Sequence, residues 1–160
     1  MGDHQGVMPQ PAPGRQFEIL VVEDNEFDVH LTAEAFRDAR VPNRLHWVGD
    51  GEAAMAFLKR TGDRSDAPRP DLILLDLEPP KMDGFEVLQS IKSDPDLKDI
   101  PVVIVSGKIH EGDIKRAYEL QASSFLMKPL EVDEYFASIR SLKELWLHAA
   151  SPAPKRDPAT

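Results

Sequence analysis

Four apolar runs in this chain each end on a residue suited to phosphoryl chemistry: Phe17–Val22 leads into Glu23-Asp24, Leu72–Leu75 into Asp76, Val102–Val105 into Ser106, and Phe125–Met127 into Lys128. Runs this short, rich in Leu and β-branched residues and separated by helix-sized segments, read as buried parallel strands. In an open α/β sheet the ligand crevice lies outside the carboxyl ends of the strands. The pattern therefore delivers carboxylates, a hydroxyl and an ammonium group to one edge of one sheet.

The segments between the runs read as helices. Asn25 or Asp28 opens a helix carrying Val29, Ala33 and Phe36, which stops near Val41-Pro42. Leu45–Val48 is a weaker second strand, Asp50 is the N-cap of a helix around Ala53–Lys59, and Thr61–Pro70 is a polar loop. Asp71–Asp76 is the central strand, Asp83-Gly84 opens the helix Phe85–Lys92, and Ile100–Val105 is the fourth strand. Glu111–Gln121 predicts a helix with Ile114, Ala117 and Tyr118 on one side, and Ser124–Met127 followed by Val132–Leu147 completes five strand–helix units. Strict alternation implies right-handed crossovers and a sheet covered on both faces. The expected fold is α/β, a flavodoxin-like, doubly wound five-stranded parallel sheet of order 2-1-3-4-5 with five helices; that order sets the strands ending in Asp24 and Asp76 side by side.

Composition narrows the function. At 160 residues, 41% of them apolar, the chain suits one core of ordinary size. Pro9, Pro11 and Pro13 near the start and Pro152, Pro154 and Pro158 near the end mark residues 1–16 and 150–160 as expected tails around a domain of residues 17–149. The net charge of −9 argues against nucleic acid as a partner, which would call for a basic stripe. No apolar run reaches membrane-spanning length and Met1–Gln16 lacks the core of a signal peptide, so the expected site of action is the cytoplasm. With no cysteine, thiol catalysis and Cys-ligated zinc are excluded, and the five histidines, His4, His30, His46, His110 and His148, have no metal-ligand spacing.

The stretches Val21-Val22-Glu23-Asp24-Asn25, Asp71–Gly84, Pro101–Ser106 and Lys128-Pro129 together resemble the receiver domain of two-component response regulators, the CheY-like family, over residues 17–147. Asn25-Glu26-x-Asp28, Arg69-Pro70-Asp71, Ser93-Asp94-Pro95 and Asp99-Ile100-Pro101 are most similar to the short regulators that partner bacterial and cyanobacterial phytochromes. The resemblance implies that Asp76 accepts a phosphoryl group from a sensor histidine kinase. It implies a Mg²⁺ held by Asp24, Asp76 and the main-chain carbonyl of Glu78, with Glu23 acting through a metal-bound water. Physical chemistry agrees, because a hard cation takes oxygen ligands and relieves repulsion among clustered carboxylates. Lys128 would contact the phosphoryl oxygens, Ser106 would hydrogen-bond the group once transferred, and Phe125 occupies the switching aromatic position. Such a protein is not an enzyme acting on a separate substrate; it catalyses only its own phosphorylation and dephosphorylation.

Departures from the family pattern carry expectations of their own. Glu78 adds an acid two residues after Asp76, and the resemblance implies that Glu78 and Lys108 flank the path of water toward an aspartyl-phosphate, so this pair is expected to tune dephosphorylation. Gln121 stands where a glycine usually closes the fourth helix, so either the turn differs or Gln121 is strained. Leu142, Leu145, Trp146 and Leu147 crowd the last helix beyond one buried stripe, which suggests a homodimer through the fourth-to-fifth-helix face or the first and fifth helices. Two other readings compete: a pseudo-receiver that binds a partner without phosphorylation, and a Mg²⁺-dependent phosphatase of the haloacid dehalogenase type. In the latter the nucleophile ends the first strand, whereas here an acid pair precedes Asp76 by a whole βαβ unit.

Overall fold

The computed structural model describes residues 16–77, 83–107, 111–127 and 131–150. Residues 1–15 and 151–160 of the expected tails and the expectations placed on Glu78, Lys108 and Lys128 lie outside the described residues, whereas Ala150, expected in the second tail, is the last residue of a helix.

Strand β1 (Phe17–Val22) is buried at every position, as a central strand covered on both faces must be. Helix α1 (Glu26–Asp38) starts where Asn25 accepts a hydrogen bond from the Asp28 amide at 3.2 Å, with Glu26 and Asp28 favourably placed at its positive end. Its buried stripe is Val29, Thr32, Ala35 and Phe36, with Ala33 only half-buried. Strand β2 (Asn43–Val48) begins two residues before the expected start, because the Pro42 carbonyl already accepts from the Phe17 amide at 3.0 Å and so begins the parallel ladder. Helix α2 (Gly51–Lys59) is capped as expected by Asp50, which accepts from the Ala53 amide at 2.7 Å.

Strand β3 (Leu72–Asp76) leads to helix α3 (Gly84–Ser93), which opens with a reciprocal capping box between Asp83 and Glu86. Strand β4 (Val102–Ser106) starts later than the apolar run suggests: the Ile100 amide turns back to the Leu97 carbonyl, leaving Ile100 buried but in a turn. Helix α4 (Glu111–Glu119), strand β5 (Ser124–Met127) and helix α5 (Val132–Ala150) complete the fold. Helix α4 ends two residues early because Gln121 adopts φ +70°, the left-handed turn geometry that glycine would take, while the Ala122 amide reaches back to the Ala117 carbonyl at 3.0 Å.

All strand pairings are parallel and the order is β2-β1-β3-β4-β5, as expected. The period of two along each strand sends alternate residues to two separate cores. Leu20, Val22, Ile73, Leu75, Val102 and Ile104 face α2 and α3, whereas Ile19, Val21, Leu72, Leu74, Val103 and Val105 face α1 and α5. Helix α5 is fastened to α1 by Tyr135, Ile139 and Leu142 on its buried side and by Arg140 to Asp38 at 2.6 Å and Lys143 to the Ala39 carbonyl at 2.8 Å.

Two expectations about helix faces are corrected. Leu142 is 3% exposed and belongs to the core beneath α5, so it is not a dimer contact. The stripe Tyr135, Ile139, Leu142 follows helical spacing and consumes it. Tyr118 is half-exposed rather than aligned with the buried Ala117. The side chains of Leu145 and Trp146 lie outside what the structure describes.

Candidate functional site

Chain topology alone sets the acids together. Strands β1 and β3 are hydrogen-bonded neighbours with Val22 opposite Leu75, so Glu23-Asp24, following β1, meets Asp76 at the end of β3. Carboxylate oxygens of Glu23, Asp24 and Asp76 lie within 4.8 Å of one another. Glu23 is buried, Asp76 half-buried and Asp24 exposed, so the cluster opens to solvent on the Asp24 side. Carboxylates this close, in a chain of charge −9, attract a cation. An all-oxygen donor set with an open side fits a hard divalent ion that keeps part of its water shell.

Glu23 is fixed from three directions. Its amide donates to the Val48 carbonyl at 3.0 Å, its own carbonyl accepts from the Trp47 indole N–H at 2.5 Å, and its carboxylate accepts from the Asn25 amide at 3.2 Å. Edge strand β2 therefore sets the position of the acid that follows β1. On the other side, Gly84 at the start of α3 packs directly on the main chain of Asp76 and Leu77, and its amide donates to the Leu77 carbonyl at 3.1 Å.

Ser106 ends β4 as a buried hydroxyl, opposite Met127 in the β4–β5 register, and Asp76 lies opposite Val105. Phe125 is half-buried and packs against the core on the α2–α3 side. Glu23, Asp24, Asp76 and Ser106 are thus gathered at one edge of the sheet, while Glu78, Lys108 and Lys128 lie outside the described residues. His30 sits on the surface of α1, 3.3 Å from Glu26, away from any ligand cluster. Sequence reasoning passed over Trp47, Thr32 and Tyr135. Thr32 and Tyr135 carried a signal, a hydroxyl on an otherwise apolar helical stripe; Trp47 carried none, since its contact is with a main-chain carbonyl.

Residues 19–140 match the response regulator receiver domain family. The chain belongs to that family. This receiver is 41% identical over 133 residues to the response regulator Rcp1 of Synechocystis sp., covering 83% of this chain and 90% of that one. Its structure is similar to that of the phosphorylated cyanobacterial phytochrome response regulator RcpA, with a TM-score of 0.79 and 44% identity over 85% of this chain and 97% of the other. It is also similar to the Mn²⁺-bound form of Rcp1, with a TM-score of 0.76 and 41% identity over 82% and 94% of the two chains. Family membership places the receiver outside the dehalogenase-type phosphatases, in agreement with the position of its acid pair ahead of Asp76.

Proposed function

We propose that this receiver is a stand-alone response regulator whose Asp76 carboxylate accepts a phosphoryl group from a phosphohistidine of a sensor histidine kinase. The observation that carries the proposal is the meeting of Glu23, Asp24 and Asp76 within 4.8 Å at the paired ends of β1 and β3. In the transfer, a carboxylate oxygen of Asp76 forms the new P–O bond as the P–N bond of phosphohistidine breaks and its electron pair returns to the imidazole. Asp24, Asp76 and the Glu78 carbonyl, with Glu23 through a water, would hold Mg²⁺. When bound, the ion supplies charge neutralisation for the phosphoryl oxygens. Lys128 contributes a compact positive charge to those oxygens. Ser106 donates its hydroxyl to the transferred group, and Phe125 repacks as the Ser106 loop follows it.

Glu78 and Lys108 together control access of water to the acyl phosphate, and the chain turns over no separate substrate. The kinase is proposed to be a phytochrome, acting with this receiver in the cytoplasm. That reading is supported by the likeness to RcpA, a phytochrome response regulator. The working unit is proposed to be a homodimer with Trp146 near its contact, so Trp146→Ala should shift light scattering toward monomer. The phosphoacceptor is tested by incubation with acetyl phosphate and Mg²⁺ followed by intact-mass measurement. A single phosphoryl adduct, absent in Asp76→Asn, is expected; an unmodified wild type would favour a receiver that works without phosphorylation.

A further inference from the structure

Beneath the acid cluster, between the sheet and the α1–α5 layer, lies a small cavity of about 10 Å³, room for the centre of one water molecule. A water needs roughly 10–15 Å³ of such space and two to four polar partners. The lining supplies them: Glu23 and Asp76 from the strand ends, Thr32 from α1 and Tyr135 from α5, with the remaining wall made of valine and leucine residues of the strands. Thr32 and Tyr135 are each 4% exposed, and their hydroxyl oxygens are 2.8 Å apart.

The direction of this pair follows from its neighbours. Thr32 donates its only hydroxyl hydrogen to the Asp28 carbonyl at 2.8 Å, so Tyr135 must donate to Thr32. The phenolic oxygen then serves the cavity as an acceptor. A water there has one hydrogen for that oxygen and one for an ionised carboxylate of Glu23 or Asp76, which accepts only.

We propose that one buried water joins the acid cluster to the Tyr135–Thr32 pair, making Tyr135 a positioning residue for the metal-binding carboxylates. The inference rests on the reading of Glu23, Asp24 and Asp76 as a divalent-metal site. Partners that hydrogen-bond to ligating carboxylates fix their orientation, and their loss typically costs 10–100-fold in metal affinity. Action through a water places Tyr135 at the lower end, about tenfold. Because Tyr135 is on α5 and Thr32 on α1, the relay also ties carboxylate orientation to the seam between those helices.

The test is Mn²⁺ titration of the full chain by electron paramagnetic resonance for wild type, Tyr135→Phe, Thr32→Val and Thr32→Ser, with melting curves of each, and a high-resolution crystal structure of wild type. Tyr135→Phe and Thr32→Val are expected to bind Mn²⁺ about tenfold more weakly, Thr32→Ser to bind as wild type does, and the crystal to show a water between Tyr135 and a carboxylate. Unchanged affinity in Tyr135→Phe, a dry cavity, or affinities that merely track melting temperature across the variants would overturn the relay. Failure of wild type to bind Mn²⁺ at all would instead overturn the metal site on which the relay rests.

Discussion

Gly84 and Leu77 lie too close for any side chain at position 84: a Cβ there would stand 2.6 Å from the Leu77 carbonyl oxygen and 2.7 Å from that of Asp76. Both contacts are main chain, which cannot swing aside as a side-chain end can. Gly84→Ala must therefore push α3 away from the turn that follows Asp76, at about 1–3 kcal/mol of overpacking. Denaturant melts should show that loss, and phosphorylation by acetyl phosphate should slow, since the same displacement moves the Asp76 main chain. A variant that melts and phosphorylates like wild type would show that the turn yields freely.

The acid cluster predicts a metal-dependent melting temperature. Mg²⁺ binding to the native state alone adds stability as its concentration rises above Kd. Melts in EDTA and in millimolar-range Mg²⁺ should differ for wild type and differ less for Asp24→Asn. Without metal, Asp24→Asn should match or exceed wild type, because it removes one of three mutually repelling carboxylates. Superimposable wild-type curves with and without Mg²⁺ would count against the site.

Gln121 holds φ +70°, a conformation that costs a residue with a Cβ roughly 1–2 kcal/mol. Glycine removes that cost but gains freedom in the unfolded chain worth about 0.4–1 kcal/mol. The expected net effect of Gln121→Gly is a stabilisation of about 0.5–1 kcal/mol, read as a higher denaturant midpoint at unchanged slope. Destabilisation would mean that the exposed glutamine side chain makes a contribution larger than the backbone relief.

Lys92 gives a pH dependence. Its ammonium donates to the Lys98 and Ile100 carbonyls at 3.0 Å each, yet desolvation holds its pKa below the ordinary 10.5, with Asp99 acting in the opposite direction. In the window just below 10.5 the unfolded chain binds more protons at this position than the folded one, so its contribution to stability rises with pH there. Lys92→Met should flatten that rise, while costing about 1–3 kcal/mol at neutral pH by leaving carbonyls without their donor. Stability measured against pH for both proteins decides it; parallel curves would remove Lys92 from the account.

Glu78 and Lys108 are expected to act on dephosphorylation as a unit. Their pairing would add only about 0–1 kcal/mol to stability, but a pair that obstructs or orients the attacking water makes its two members interdependent. Phosphate loss from Glu78→Gln, Lys108→Ala and the double variant should be non-additive on the barrier. Additive effects would separate the two residues.

Strand order and the meeting of Asp24 with Asp76 were legible in the sequence because both follow from alternation: once strands one and three are neighbours, whatever follows them must meet. Caps were legible too, Asn25 and Asp50 acting through side chains at fixed offsets from their helices. What escaped is contact set by main-chain carbonyls, such as Trp47 on Glu23, and by long-range pairing of hydroxyls, such as Thr32 with Tyr135. Neither leaves a periodic trace. Leu142 was misread because crowding on a helix shows excess apolar surface without showing which members face inward.

Phe125 packs on one face of the sheet, while Thr32 and Tyr135 lie on the other. The sheet is thus a partition with the acidic site straddling its rim. Close-packed strand side chains separate the two compartments, so a phosphoryl group on Asp76, as proposed above, would stand where both of them begin.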